Sequence, residues 1–71
     1  MTIQKAKITN LQYLFAIFKA AEAKGIDCNG MKRFLSLGGN DFISEVIDEA
    51  IEKLNKAGFP TTETEESLVI G

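Results

Sequence analysis

Few side chains in this 71-residue sequence are suited to catalysis. It contains no histidine, so neither Cys28 nor any serine has the usual general base to activate it. Cys28 precedes a predicted helix, a position that can lower the pKa of a thiol, but a small, partly buried turn residue explains it more simply. A single cysteine cannot form an internal disulfide and suits a reducing cytoplasm. We therefore expect a cytoplasmic protein that is not an enzyme.

Carboxylates are the other groups with chemical potential, because paired acids can exchange protons and can ligate Ca²⁺ or Mg²⁺. Five of them fall on the polar side of one predicted helix: Asp41, Glu45, Asp48, Glu49 and Glu52. A solvated helix face accounts for this spacing, and the sequence has no calcium-loop pattern. With no histidine and one cysteine, the ligand sets of zinc, haem and iron–sulfur clusters are missing. We expect no catalytic residue, no cofactor and no metal site.

Size and composition predict one small globular domain, since 7.8 kDa is too little for two hydrophobic cores. The chain is 45% hydrophobic and 25% charged, which is typical of an ordinary globular protein. Its net charge of −2 implies no bulk attraction to nucleic acid or anionic lipid. No apolar run approaches the roughly 18 residues of a membrane span, so we expect no membrane partner.

The clearest predicted element is a helix over residues 10–24. Thr9 and Gln12 have the spacing of a capping box, in which the hydroxyl accepts from a backbone N–H and the glutamine side chain reaches back. Gly25 follows, where a left-handed residue ends a helix, and Ile26 can fold back onto the last turn. Local chemistry therefore marks both ends of this helix.

This helix carries more apolar residues than a surface helix needs. A helix at the edge of a small globule requires one apolar stripe, whereas here a second apolar side lies next to the first. A chain of 71 residues offers limited cover for both sides. We therefore expect another subunit to bury part of the helix, and the predicted protein interface is Leu11, Tyr13, Leu14, Phe15, Ile17 and Phe18.

Two further helices are predicted over residues 31–37 and 41–57. Alternation favours an extended segment over residues 2–8. The β-branched residues at 67–70 favour a second one, although Thr62 and Glu65 also fit the cap of a short helix. The predicted fold class is mainly α, a compact three-helix domain (long, short, long) whose terminal segments can pair as a two-stranded sheet.

The junction of the first two helices resembles the helix-turn-helix DNA-binding motif. Its pattern of a small residue, a turn glycine and core-anchoring apolar residues is matched by Ala21, Gly25, Ile26, Met31 and Phe34. The resemblance implies a basic corner that faces DNA, and its candidate nucleic-acid contacts are Lys19, Lys24, Lys32 and Arg33.

The surplus of apolar surface favours a non-catalytic protein-binding or oligomerising module. We expect a small accessory or regulatory protein that acts through an apolar helix face, as a homodimer, on a larger protein target, or both. The alternative is a helix-turn-helix DNA-binding regulator that uses the basic corner. DNA is the less favoured partner, because the acids of the third predicted helix would repel phosphate.

Overall fold

Three helices and a three-stranded antiparallel sheet form the fold. The computed structural model describes residues 1–38 and 41–71 in full, and residues 39 and 40 without their side chains. The elements follow in the order β1 (Thr2–Gln4), α1 (Asn10–Ala23), α2 (Asn29–Gly38), a 3₁₀ segment (Gly39–Phe42), α3 (Ile43–Lys56), β2 (Thr61–Glu63) and β3 (Ser67–Ile70). The predicted mainly α fold class is confirmed.

Both ends of α1 have the predicted local chemistry. Thr9 Oγ1 accepts a hydrogen bond from the Gln12 N–H at 3.1 Å, and Gln12 Oε1 accepts one from the Thr9 N–H at 2.9 Å. After the helix Gly25 has a φ of +85°, a left-handed conformation. The Ile26 N–H then donates to the Ala21 carbonyl at 3.0 Å and returns the chain to the last turn.

Helices α1 and α3 run side by side in the same direction. Their first turns lie together, because Asn10 and Ser44 line the same cleft. The residues that follow the two helices also lie together, since Lys24 Nζ is 4.7 Å from the centre of the Phe59 ring. Helix α2 therefore carries the chain back from the end of α1 to the start of α3. It begins two residues earlier than predicted, at Asn29, whose N–H donates to the Asp27 carboxylate at 2.9 Å.

The sheet has three strands where we predicted two. Strand β3 is central, with β1 on one side and β2 on the other, and both pairings are antiparallel. Leu68 is paired with Ile3 of β1 and with Glu63 of β2, so these three side chains share the face that packs on the helices. The strand at the tail is confirmed over 67–70, and β2 is an addition to the predicted fold.

The first strand is shorter than the predicted 2–8, since β1 ends at Gln4. A turn follows in which Lys7 has a φ of +68°, a left-handed conformation that costs a non-glycine residue about 1–2 kcal/mol. This turn directs the chain into the cap of α1. Alternation alone could not reveal it, because lysine gives no signal for a left-handed position.

One apolar core lies between the helices and the inner face of the sheet. Helices α1 and α3 contribute most of its residues, and the sheet contributes Ile3, Leu68 and Ile70. Among the described side chains none that is buried is polar or charged, and none has a buried nitrogen or oxygen without a hydrogen-bond partner. The chain therefore encloses an all-apolar core without help from a second subunit.

Candidate functional site

Most of the predicted interface on α1 belongs to this core. Four of the six predicted interface residues are between 0% and 4% exposed and have almost no surface that a partner could contact: Tyr13, Leu14, Ile17 and Phe18. The expectation that another subunit covers them is therefore wrong for these four residues. The reason is that β1 packs against α1 in addition to α3, and the sheet residues Ile3, Leu68 and Ile70 join the same core cluster, which the helical pattern of α1 cannot show.

The other two predicted interface residues remain accessible to solvent. Leu11 is 37% exposed and Phe15 is 50% exposed. They lie four residues apart on α1 and therefore share one side of the helix. Phe15 also contacts the buried Phe18, with ring centres 6.1 Å apart, so one edge of its ring is held by the core.

Helix α2 adds two exposed apolar residues, and one of them, Phe34, was expected to anchor the helix in the core as part of the helix-turn-helix pattern. Met31 and Leu35, four residues apart, supply the buried side of this short helix. Phe34 and Leu37 fall outside that narrow stripe and are 41% and 82% exposed. Helical position separates Leu37 from the buried side, but Phe34 lies three residues after Met31 at the edge of that side, so its exposure depends on what packs there.

The exposed residues of α1 and α2 are linked through the start of α3. The Phe34 ring lies 4.8 Å from the ring of Phe42, which rests over Gly38, where a Cβ atom would collide with it. The next residue, Ile43, lines a shallow groove of about 430 Å³ together with Leu11. We call the resulting surface the apolar face and define it by Leu11, Phe15, Phe34 and Leu37.

The four basic residues predicted to contact DNA have different environments. Lys32 forms an ion pair with Glu22, with its Nζ 3.0 Å from both carboxylate oxygens. Lys24 lies over the Phe59 ring and is half-buried. Lys19 and Arg33 are exposed, and neither has an acidic partner within 4.0 Å among the described side chains. The corner therefore holds two unpaired cations, where we predicted a patch of four.

The helical corner itself matches the motif in part. Ala21 and Met31 are buried and Ile26 packs against the core, as the motif requires. Phe34, the last anchoring position, is 41% exposed and contacts the 3₁₀ segment. Met31 and Leu35 anchor α2 to the core, so Phe34 does not take the motif's last anchoring role.

A partly polar cleft lies at the start of α1, where the sheet meets the helices. It has a volume of about 240 Å³ and is lined in part by Lys5, Tyr13 and Glu63. Tyr13 Oη donates to Glu63 Oε2 at 2.8 Å, and Lys5 Nζ lies 2.9 Å from the same oxygen. Glu63, which joins Lys5 and Tyr13, belongs to the unpredicted strand β2.

The electrostatic environment of Lys5, Tyr13 and Glu63 favours a structural role for this cluster. Burial raises the pKa of Tyr13, and the hydrogen bond to Glu63 and its charge raise it further, so the phenol stays protonated at neutral pH. Burial alone would raise the pKa of Glu63, but the hydrogen bonds from Lys5 and Tyr13 outweigh it and the net shift is downward. A carboxylate whose reactive oxygen already accepts two donors is a poor general base.

Cys28 is enclosed by the turn between α1 and α2. It is 1% exposed, and its Sγ lies 3.8 Å from the Ile26 carbonyl oxygen. Burial raises the pKa of its thiol, and the nearby charge of Glu22 adds to the effect. A thiol in this environment acts as a small core residue, because the reactive species is the thiolate.

The described part of the chain holds no cluster of three or more residues able to ligate a metal ion. None of its helices combines the length and the apolar character needed to cross a membrane. No protein-family model, curated protein or solved structure matches this chain.

Proposed function

We propose that this chain is a non-catalytic protein-binding or oligomerising module that acts through the apolar face. The observation that carries the proposal is the exposure of four grouped large apolar side chains, which ranges from 37% to 82%. With about 200 Å² for each side chain, the exposed part amounts to roughly 400 Å². Patches of this size on small monomers frequently have a binding role.

The grouping of these residues supports the proposal more than their number does. Single exposed apolar residues are common on protein surfaces and need no explanation. Met1 and Val69 are examples, exposed on the terminal strand region and on the outer face of the sheet. The apolar face differs because its parts lie on neighbouring elements: Phe34 contacts Phe42, and the next residue, Ile43, lines a groove together with Leu11.

The area of the apolar face can be compared with the area that a protein–protein interface buries. A standard protein–protein interface buries about 800 Å² on each partner, of which somewhat more than half is apolar. The apolar face would supply the apolar centre of such an interface, and the surrounding polar residues would supply its rim. We place the protein in the cytoplasm, where its single buried thiol stays reduced.

The apolar face could bind a second copy of the chain, which gives a homodimer, or it could bind a larger protein. Sedimentation equilibrium over a range of concentrations separates them, because a dimer formed through the apolar face dissociates on dilution and in a Phe15→Gln/Leu37→Gln variant. A hetero-complex leaves the isolated chain monomeric in both cases.

The DNA-binding alternative has less support from the geometry. Two of its four candidate contacts, Lys24 and Lys32, already interact with Phe59 and Glu22. A salt-titrated DNA-binding assay tests this function. Affinity that falls steeply with salt and drops in Lys32→Ala and Arg33→Ala would favour DNA binding over the proposal.

Quantitative affinity capture tests the protein-binding function. The bait is the whole chain, and its Phe15→Gln/Leu37→Gln variant is compared with a Val69→Thr control, which removes an exposed apolar residue from the sheet. We expect a protein, or a second copy of the chain, that the wild type and the control retain and the face variant loses. Equal recovery of every bound protein by the face variant would refute the proposal.

A further inference from the structure

Two unpaired cations flank the apolar face. Lys19 lies four residues after Phe15 on α1, and Arg33 lies four residues before Leu37 on α2. Residues four apart share one side of a helix, so each cation lies next to an apolar anchor. Both are exposed, and neither has an acidic partner within 4.0 Å among the described side chains.

Three of the other six cations in the chain are paired with a carboxylate, unlike Lys19 and Arg33. Lys5, Lys32 and Lys56 each lie within 3.0 Å of a carboxylate, which satisfies their charge inside the protomer. The chain as a whole is acidic, with a net charge of −2, so the charge beside the apolar face is a local feature. Charges at an interface rim steer association and select the partner more than they add affinity.

We infer that the occupant of the apolar face is an acidic amphipathic segment of another protein, with apolar anchors flanked by aspartate or glutamate. This inference rests on the proposed function. The anchors would cover Phe15 and Leu37, and the carboxylates would meet Lys19 and Arg33. A helix laid in a groove between helices is one common way to present such a pattern.

A second copy of the chain fits this face poorly. A two-fold contact brings a surface against itself, so Lys19 and Arg33 of two protomers would meet with like charge. The acidic side of α3 could offer the opposite charge in a head-to-tail contact. However, its large apolar residues face the core, and only Ile51 is partly exposed, so it lacks anchors for Phe15 and Leu37.

Two matched peptides test the inference with the whole chain. Each is a helical peptide of about 18 residues, long enough to populate the helix, with one leucine and phenylalanine stripe. One peptide carries about four glutamates among alanines at the remaining positions, and the other carries lysines at the same places, because like charges at every position would repel between turns and destabilise the helix. Binding is followed by amide NMR shifts, and we expect the glutamate peptide to bind about tenfold or more tightly than the lysine peptide, with shifts around Phe15 and Leu37.

Charge-neutralised variants supply the matched control. The Lys19→Gln/Arg33→Gln variant should bind the glutamate peptide about tenfold more weakly than the wild type does. Lys7→Gln/Lys53→Gln removes the same number of positive charges elsewhere and should leave affinity within about twofold, because screening reduces distant charges.

The possible failures separate the two proposals. Equal binding of both peptides at the face, unaffected by Lys19→Gln/Arg33→Gln, overturns the acidic partner and leaves the protein-binding function standing. Self-association through the face without peptide binding also overturns it, since the occupant is then a second copy. If the chain is monomeric and neither peptide shifts the amide NMR signals of the apolar face, both proposals are contradicted.

Discussion

Two leucines with opposite burial give a stringent test of which apolar residues form the core. Leu14 is 0% exposed in the middle of α1, and Leu37 is 82% exposed in the last turn of α2. The same change, leucine to alanine, removes the same atoms from both positions. Its effect on helix propensity is also small and similar at both, so a difference in stability reports burial.

The two effects should differ several-fold. Leu14→Ala opens a cavity in the core and should cost about 2–5 kcal/mol. Leu37→Ala removes a side chain that buries little surface and should cost less than about 0.5 kcal/mol. Because a domain of this size has about 4–11 kcal/mol in total, the first variant loses a large part of its stability and the second loses almost none.

Urea unfolding followed by far-UV circular dichroism measures both variants. With an m-value of about 1 kcal/mol/M, Leu14→Ala should lower the midpoint by about 2 M or more, and Leu37→Ala by less than about 0.5 M. Similar losses in the two variants at low protein concentration would refute the assignment of Leu14 to the core and Leu37 to the surface. A loss in Leu37→Ala that grows with protein concentration would instead indicate a homodimer.

Further predictions concern the hydrogen bond between Tyr13 and Glu63 and the buried thiol of Cys28. Tyr13→Phe keeps the ring and removes its hydrogen bond to Glu63, so urea unfolding should show a loss of about 1 kcal/mol that largely disappears in a Glu63→Met background, which has no carboxylate to accept the bond. The pKa of Glu63 is lowered by folding from its ordinary 4.5, so the stability it contributes is present above that pH and lost as the pH falls below it; thermal melts of wild type and Glu63→Gln should converge in acid. The pKa of Tyr13 is raised from its ordinary 10.0, so its contribution should be lost as the pH rises above that value, and a Tyr13→Phe chain should lack this alkaline loss. A thiol reagent should label Cys28 slowly in the native chain and rapidly in urea; equal rates would contradict its burial.

The helices could be predicted because their signals are local. The capping box at Thr9 and the left-handed Gly25 involve residues within four positions of the helix ends. Physical chemistry at that range depends little on the rest of the chain. The short α2 also followed from its flanking turn residues, and only its bounds moved by one or two positions.

The third strand and the cover of α1 could not be predicted in the same way. Strand β2 is the polar tripeptide Thr61–Glu63, which resembles a loop in composition. It forms because β3 offers it an edge, and it then places Glu63 beside Tyr13, fifty residues earlier in the chain. Strand β1, which pairs with β3 from the other end of the chain, packs against α1, so residues that seemed to need a partner are enclosed.

The predicted burial of apolar side chains on α1 and α2 was partly wrong, and one physical reason explains both cases. Periodicity identifies the apolar side of a helix, but the edge of that side depends on what packs against it. Phe15 and Phe18 have the same side chain three residues apart, and only Phe18 is buried. The apolar face therefore consists of residues at the edges of two helical stripes.

Side-chain footprinting of the chain with and without its bound partner tests the central claim most directly. Hydroxyl radicals label aromatic and aliphatic side chains that reach solvent, and Phe18 serves as an internal buried control. In the free chain we predict labelling of Phe15, Phe34 and Leu37 but not of Phe18, and we predict that the partner protects these three residues and leaves Val69 unprotected. Protection confined to Val69 and the sheet, with Phe15 and Leu37 still labelled in the complex, would contradict the account.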